Sequence, residues 1–255
     1  MPLISIIIIA RNREKYIAEA IESALQQSFK DFEFIIIDDA SSDKTAEVVA
    51  KYAAQDLRIK FHRENINLGI TKARNLGLQL AQGKYVAILD SDDAWADSNK
   101  LQKQYEFLEK NDDHVAVGGA VIVINENGQE VGRYKNSATD TAIRAGILLR
   151  NPFLHSSAMF RRDVAINCGG YGDYTVGEDY DLFLKLGKFG KLANLDDYLV
   201  KYRKHGSGIT WSRRVRAAKD HLSIIAKYKK QYPNYFPALS KGYLRLGMSW
   251  ILSLV

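Results

Sequence analysis

The sequence predicts an α/β fold in which helices flank an open, mostly parallel sheet, followed by a helical extension at the C-terminal end. Three observations support this prediction. Over residues 3–90, short apolar runs alternate with segments of helical periodicity, which is the order of β–α units in a parallel sheet. These apolar runs are rich in β-branched residues, as is typical of strands buried on both faces. From Lys201 onward, 12 Lys and Arg residues accompany one acidic residue, Asp220.

The first two β–α units show the patterns most clearly. Leu3–Ala10 is an almost wholly β-branched run, and the apolar positions of Lys15–Gln26 recur every three or four residues, as one face of a helix requires. Ser41, Ser42 and Asp43 are short polar residues of the kind that cap helix N-termini. The strands predicted up to residue 90 are Leu3–Ala10, Phe32–Ile37, Ile59–His62 and Tyr85–Leu89. The predicted helices are Lys15–Gln26, a helix that follows the capping residues and runs to about Ala53, and Ile70–Leu80.

Beyond residue 90 the pattern is less regular. The turn residues Glu126-Asn127-Gly128 stand between two apolar runs, an arrangement that favours a β-hairpin. The hairpin strands are predicted at Val115–Ile124 and Val131–Tyr134, with helices near Ser98–Lys110 and Thr139–Leu149.

The composition contains no linker rich in Pro, Gly and Ser. We therefore expect one domain over residues 1–210 and a basic, apolar-ended helical extension over residues 211–255. The basic extension alone fits a solvated helical face, a nucleic-acid surface or a surface for anionic lipids, and composition does not choose among them.

Several protein classes are disfavoured. Cys168 is the only cysteine, which excludes a disulfide scaffold and a multi-cysteine metal site within one chain. No apolar run approaches the roughly 20 residues that span a bilayer. The motifs of dinucleotide-binding folds and of α/β-hydrolases, Gly-x-Gly-x-x-Gly and Gly-x-Ser-x-Gly, do not occur in the expected places. Because no export signal precedes the first predicted strand, we expect a cytoplasmic protein.

Acidic residues follow two of the predicted strands. Asp38-Asp39 ends the second strand, and Asp90-Ser91-Asp92-Asp93 ends the fourth. Open α/β sheets bind ligands beyond the carboxyl ends of their strands, and carboxylates suit Mg²⁺ or Mn²⁺, which keep open positions for substrate phosphates. The alternative for an isolated Asp-x-Asp is a turn that caps the following helix. A second acidic cluster, Gly177–Asp181, favours the metal interpretation.

Eight segments carry a resemblance to a known family. They occur in the family's order and are SIIIIARNREKYI at 5–17, IIIDDASSDKT at 35–45, NLGITKARNLGL at 67–78, LDSDD at 89–93, SSAMFRR at 156–162, GGY at 169–171, GEDYDLFLKL at 177–186 and YRKHGSGIT at 202–210. In these segments the sequence resembles the family 2 inverting glycosyltransferases, which have the GT-A fold. The resemblance covers roughly residues 4–210.

The resemblance implies roles for individual residues. Asp39 matches the position that contacts the nucleotide base, and Asp90 matches the position that contacts the ribose. Asp92 matches the ligand of the Mn²⁺ or Mg²⁺ ion that bridges the donor phosphates, and His205 reaches this metal or the diphosphate when its loop closes. Asp179 matches the general base that deprotonates the acceptor hydroxyl. The wider nucleotide-binding set implied is Ala10, Arg11, Asn12, Gly69, Lys72, Arg74 and Ser91.

One departure from the family pattern concerns the end of the first strand. The family usually has Pro-x-Tyr-Asn there, whereas this chain has Ile9-Ala10-Arg11-Asn12. Arg11 therefore replaces the aromatic neighbour of the base and is expected to stack or to contact phosphate. Lys72 and Arg74 either reach the donor phosphates or are solvated.

The implied reaction moves a sugar from a nucleotide-diphosphate donor to an acceptor hydroxyl of a glycan or lipid-linked glycan, as in polysaccharide biosynthesis. One base without a protein nucleophile indicates direct displacement with inversion. Asp39 as a hydrogen-bond acceptor favours a UDP-sugar, with thymidine or guanosine donors second.

There are two alternative functions. The first is a sugar-phosphate nucleotidyltransferase, although Ala10–Tyr16 has no Gly for a triphosphate loop. The second is a non-catalytic protein that binds nucleic acid through the basic tail. The strand-end carboxylates argue against the second, so no nucleic-acid partner is expected.

The end of the chain combines apolar and basic residues. Gly242–Val255 is too short to cross a bilayer but fits its interface, with Lys241 and Arg245 near head groups and Tyr243 and Trp250 at the boundary. This interpretation predicts peripheral contact with the inner face of the plasma membrane. The alternative is a helical lid or a homodimer contact.

Overall fold

The computed structural model describes residues 1–206 and 214–251. The expected boundary between residues 210 and 211 lies outside the described residues. The strands are β1 (Ile4–Ala10), β2 (Phe32–Asp38), β3 (Ile59–Arg63), β4 (Tyr85–Ile88), β5 (Ala94–Trp95), β6 (His114–Ile124), β7 (Glu130–Tyr134), β8 (Met159–Arg161) and β9 (Lys191–Arg203). The helices are α1 (Ile17–Leu25), α2 (Thr45–Gln55), α3 (Ile70–Leu80), α4 (Lys100–Lys110), α5 (Asp140–Gly146), α6 (Arg162–Asn167), α7 (Glu178–Leu186), α8 (Arg214–Lys227) and α9 (Tyr235–Ile251), with a 3-10 turn at His155–Ser157.

The first four long strands form a parallel sheet in the order β3-β2-β1-β4. The fold class predicted from the alternating pattern is therefore confirmed for this half of the chain. The last residue of β1, Ala10, pairs with Asp38, and Asp38 pairs with Arg63 of β3. Because these strands end together, the loops that follow them meet at one edge of the sheet.

Both faces of this parallel sheet are covered by helices. On one face Ile6 and Ile8 of β1 lie in the same buried cluster as Ile21 of α1. On the other face Ile7 lies in a cluster with Ala73 of α3. The continuous β-branched run of β1 thus follows from a strand that buries both of its faces.

The second half of the sheet is mixed. β4 pairs antiparallel with β8, β8 antiparallel with β6, and β6 parallel with β9, while β5 adds antiparallel to β9. The predicted hairpin is confirmed, since β6 and β7 pair antiparallel. β5 and β8 contain two and three residues, too few to show a period-2 pattern in the sequence.

The C-terminal helices pack on α7. Ile224 of α8 and Tyr228, the residue directly after α8, are buried in the same cluster as Leu182 and Leu186 of α7. α9 buries the small residues Ala238, Gly242 and Ser249, and large apolar side chains stand on its exposed side. Within residues 1–206 and 214–251, no helix is long and apolar enough to cross a membrane.

Candidate active site

The loops that follow β1 and β2 are bonded to each other. The Asn12 backbone adopts a left-handed conformation with φ of 53°. Its N–H donates to Ser41 Oγ at 2.9 Å, and its Oδ1 accepts from the Ser42 N–H at 2.9 Å. The Asp39 N–H donates to the Ala10 carbonyl at 2.9 Å. Ala10, Asn12 and Asp39, all predicted nucleotide-binding residues, therefore lie together at this edge.

The Asp39 carboxylate holds the loop that precedes α3. It is buried, with 3% of its surface exposed. Its Oδ1 accepts from the Leu68 N–H at 2.6 Å and its Oδ2 from the Gly69 N–H at 3.1 Å. Gly69 has φ of 83°, a conformation that favours glycine. Each carboxylate oxygen accepts more than one hydrogen bond, so these two contacts leave Asp39 further acceptor capacity.

Asp90, at the end of β4, lies between two cationic or ionisable side chains. Its Oδ1 accepts from Arg74 Nη2 at 2.8 Å and lies 3.0 Å from His155 Nδ1. Burial alone raises the pKa of Asp90, but His155 and Arg74 outweigh it and hold the pKa below its usual value. The other ring nitrogen of His155 lies 3.0 Å from the Tyr171 hydroxyl. No motif in the sequence indicated a role for His155, which directly precedes the SSAMFRR segment.

Arg74 connects the end of β4 to the start of α7. Its Nη1 donates to Glu178, the first residue of α7, while Nη2 donates to Asp90. Of the two alternatives for Arg74, the solvated one is wrong, since only 8% of the residue is exposed. Burial lowers the pKa of Arg74, but Glu178 and Asp90 offset this and raise it above its usual value. Arg74 is therefore a charged bridge between two acidic segments.

Asp92 meets two residues that are distant in sequence. Its Oδ2 accepts from Arg13 Nε at 3.2 Å and lies 3.0 Å from His205 Nε2. The structure thus brings together Asp92 and His205, the two predicted metal ligands. The His205 ring also lies against Tyr16, with ring centroids 5.2 Å apart. No role was predicted for Arg13, because Arg13 and Asp92 are 79 positions apart and no local pattern connects them.

Asp93 and Trp95 anchor the acidic loop through hydrogen bonds to residues outside it. Asp93 accepts from Ser156 Oγ and from the Arg203 N–H. Burial, together with the charges of Asp92 and Asp90, raises the pKa of Asp93 well above its usual value. Trp95 is packed under the loop and donates from Nε1 to the Ser156 carbonyl at 3.0 Å. We call Asp39, Asp90 and Asp92 at these strand ends the carboxylate edge.

The first turn of α7 holds Asp179 beside a cleft. Gly177, with φ of 94°, precedes the helix, and Asn151 Nδ2 donates to Asp179 Oδ2 at 2.9 Å. The cleft has a volume of about 380 Å³ and lies between the start of α7, the segment 149–151 and helices α8 and α9. We call this cavity the α7 cleft. Its polar lining includes Asn151, Asp179, His221, Arg150, Lys241 and Arg245.

The three remaining predicted binding residues differ in their exposure to solvent. Arg11 and Lys72 are exposed, and Ser91 is buried. Within the described part of the chain, no group of three or more His, Cys, Asp or Glu residues is arranged to hold a metal ion. Segment 207–210 of the YRKHGSGIT motif lies outside the described residues.

Comparison with known proteins identifies relatives. Residues 5–169 match the model of glycosyl transferase family 2. The amylovoran biosynthesis glycosyltransferase AmsE of Erwinia amylovora is 32% identical over 216 residues, which cover 83% of this chain and 80% of that protein.

Two solved structures share the fold. S. aureus TarS in complex with UDP-GlcNAc matches with a TM-score of 0.73 and 22% identity, covering 96% of this chain and 72% of that one. The mannosyltransferase PcManGT of Pyrobaculum calidifontis, in complex with GDP-Man and Mn²⁺, matches with a TM-score of 0.72 and 20% identity over 98% of this chain and 73% of that one. The α/β fold is therefore that of the GT-A glycosyltransferases. Since the family model spans more than half of the sequence, the chain belongs to glycosyl transferase family 2 and is a glycosyltransferase.

Proposed function

We propose that this protein is a metal-dependent, inverting glycosyltransferase that moves a sugar from a nucleoside-diphosphate donor to an acceptor hydroxyl. The observation that carries the proposal is the Arg74 bridge. Through Asp90 and Glu178 it joins the carboxylate edge to the turn that bears Asp179. A donor at the edge and an acceptor in the α7 cleft would thus be held by one connected set of side chains.

The carboxylate edge is the proposed donor site. Asp39 takes the base and Asp90 the ribose, with Ala10, Arg11, Asn12, Gly69, Lys72, Arg74 and Ser91 around the nucleotide. The free acceptor capacity of Asp39 supports a base with an imide N–H, such as uracil or thymine, or guanine with its N1–H and N2–H. Cytosine lacks that donor. We therefore place UDP-sugars first and thymidine or guanosine donors second. Among the structural neighbours, TarS is in complex with UDP-GlcNAc and PcManGT with GDP-Man, and both of these bases carry such an N–H.

A divalent cation fits beside Asp92. Asp92 Oδ2 and His205 Nε2 lie 3.0 Å apart, and Mg²⁺ or Mn²⁺ commonly takes one or two protein ligands with substrate phosphates filling other positions. Such an ion, when bound, neutralises charge that develops on the leaving diphosphate. Arg13 supplies a positive charge on the same carboxylate oxygen, and it would have to share that oxygen with the cation.

Asp179 is the proposed general base. It lies in the first turn of α7, where the helix dipole favours a carboxylate, and Asn151 orients it through Oδ2. In the proposed reaction Asp179 takes the proton of the acceptor hydroxyl as its oxygen bonds to the anomeric carbon. The electron pair of the broken glycosidic bond leaves with the diphosphate. A single displacement inverts the anomeric configuration.

The proposed acceptor is a glycan or lipid-linked glycan, reached through peripheral contact with a membrane. AmsE is named for amylovoran biosynthesis, a role consistent with a polysaccharide acceptor. α9 exposes large apolar side chains at 60% or more of their surface, and basic residues flank them. This combination fits an anionic lipid surface. The exposed set is Phe236, Tyr243, Leu244, Met248, Trp250 and Ile251.

Competition calorimetry with UDP, GDP, dTDP and CDP, each with Mn²⁺, tests the donor site. We expect UDP to bind most tightly and CDP at least roughly tenfold more weakly, since one hydrogen bond to a charged group is lost. Tighter binding of CDP, or nucleotide binding that ignores Mn²⁺, contradicts the proposal. NMR of the product formed from a donor of known anomeric configuration tests inversion.

Flotation with anionic liposomes tests the membrane contact. The full chain should float at low salt, and Leu244→Ser/Met248→Ser should shift it to the soluble fraction. A full chain that stays soluble rules out the membrane surface. If it stays soluble and runs as a dimer that the double variant dissociates, the same face is a homodimer contact.

A further inference from the structure

The α7 cleft carries an excess of positive charge. Arg150, Lys241 and Arg245 line it, and Asp179 is its acidic lining residue. Among the described residues, none of the three cations forms an ion pair with a carboxylate. This differs from the carboxylate edge, where Arg13 and Arg74 are both paired with acids.

The two cations of α9 are held on the same side of the helix. Lys241 and Arg245 are four residues apart, so they are neighbours on the helix surface, where like charges destabilise the helix. Gly242 lies against α8, and a Cβ there would come within 2.5 Å of Leu222. Close packing at this glycine therefore sets α9 so that both cations face the cleft. Lys241 Nζ further donates to the Leu149 carbonyl at 3.0 Å.

His221 reports the same positive field. It lines the cleft and stacks on Tyr180, with ring centroids 5.3 Å apart. Burial lowers the pKa of His221 to about 4, and the charges of Arg245 and Lys241 add to this decrease. A group between these residues is therefore favoured when it is negatively charged.

We propose that the α7 cleft binds an anionic group, a phosphate above all, on the molecule that receives the sugar. This rests on the proposed function, because Asp179 lines the same cleft as the proposed base. Lys241, Arg245 and Arg150 hold the anion, and the attacked hydroxyl is presented to Asp179. The acceptor is accordingly a phosphate-bearing glycan or a lipid phosphate carrying a glycan, rather than a neutral sugar.

A matched pair of double variants tests the site. Lys241→Gln/Arg245→Gln removes the two α9 cations, and both residues are exposed, so the fold should persist. Lys229→Gln/Lys230→Gln removes the same charge from exposed positions outside the cleft. Binding is measured by calorimetry with glucose 1-phosphate and with methyl α-glucoside as the neutral match, in the presence of saturating UDP and Mn²⁺.

We expect glucose 1-phosphate to bind at least roughly tenfold more tightly than methyl α-glucoside, because charged hydrogen bonds are made. The cleft variant should lose this preference and the control should keep it. Equal binding of the two probes, or equal loss in both variants, overturns the proposal unless the lipid arm below reveals the site.

The lipid arm compares dioctanoyl phosphatidic acid with dioctanoyl phosphatidylcholine, both below their critical micelle concentrations. Binding of a single lipid in the cleft is thereby separated from docking of the exposed face of α9 on a lipid surface. A loss of phosphatidic acid binding in the cleft variant alone assigns the anion to a lipid head group, whereas a loss of glucose 1-phosphate binding assigns it to a soluble phosphate. No selective loss in either arm overturns the site. UDP titrated separately reports on the proposed donor site, so a failure of donor binding is distinguished from a failure of the cleft.

Discussion

The carboxylate edge and the α7 cleft differ in how their charges are balanced. At the edge, Asp90 and Asp92 are each met by an arginine and a histidine, and Asp39 is met by two backbone N–H groups. In the cleft, Asp179 has the Asn151 amide, and the cations pair with no carboxylate among the described residues. The charges of the edge are thus balanced by its own residues, while the positive charges of the cleft are not balanced by an acid paired with them.

This difference has a physical origin in the chain. The edge collects the ends of strands that the parallel pairing aligns, so its carboxylates are brought close and must be compensated. The cleft is assembled by helices that pack through apolar side chains such as Ile224 and Tyr180. In this cavity Lys241 donates to the Leu149 carbonyl and the Arg150 guanidinium lies over the Tyr134 ring, so neither cation is neutralised by its partner.

The largest effect is expected from a substitution at the carboxylate edge. Asp92→Asn removes the charge at the proposed metal ligand, and transfer should fall by roughly a thousandfold or more, because stabilisation of the leaving diphosphate is lost. Mn²⁺-dependent affinity for a nucleotide-sugar should fall as well. Asp173→Asn, at an exposed acid, is the matched control. A variant at Asp92 with full Mn²⁺-dependent affinity contradicts the metal assignment.

Asp179→Asn should impair the reaction at the α7 cleft. We expect turnover to fall by roughly a hundredfold or more, the range in which general-base catalysis contributes, while affinity for the donor stays at the wild-type level. Steady-state kinetics and donor calorimetry on one preparation make the measurement. Wild-type turnover removes Asp179 from the reaction, and a parallel loss of donor affinity shows that the two regions are not separable.

Arg74→Gln tests the connection between the regions. It leaves Asp90 and Glu178 without their shared partner, and breaking a buried ion pair costs about 3 kcal/mol of unfolding free energy or more. Arg74→Gln/Glu178→Gln should recover part of this loss, since one uncompensated charge is gone. Urea unfolding measures both variants. If Arg74→Gln unfolds at the wild-type midpoint, the bridge is not a structural link.

The sequence predicted the edge better than the cleft. Strand periodicity and motif order placed Asp39, Asp90 and Asp92 together, and β1, β2 and α3 lie close to their predicted bounds. These features follow from local pattern, because parallel strands align their ends. The pairing of Arg13 with Asp92 joins residues 79 positions apart, and no local pattern reports a contact of that kind.

The cleft shows why the rest was not predictable. Arg150, His221 and Lys241 come from three separate segments, and each resembles an ordinary surface or structural residue in the sequence. Their convergence depends on how α8 and α9 pack on α7, which small residues such as Gly242 permit. The burial of these residues and the distances between them depend on tertiary packing, which composition and periodicity do not predict.

The smallest predicted effect concerns His221 in the α7 cleft and the loss of stability at acid pH. Burial lowers the pKa of His221 to about 4, against about 6.5 in an unfolded chain. As the pH falls below 6.5, the unfolded state binds a proton that the folded state does not, so stability is lost down to pH 4 and this group contributes no further loss below it. His221 is partly exposed, so we expect a loss of about 2 kcal/mol.

His221→Gln should flatten the fall in unfolding free energy between pH 6.5 and 4, measured by urea unfolding at a series of pH values. His62→Gln on β3 is the matched control, since it removes a histidine and leaves the cleft intact. It should keep the wild-type slope. An unchanged slope in His221→Gln places the acid sensitivity in other titratable groups and shows that burial does not lower the pKa of His221 in the fold.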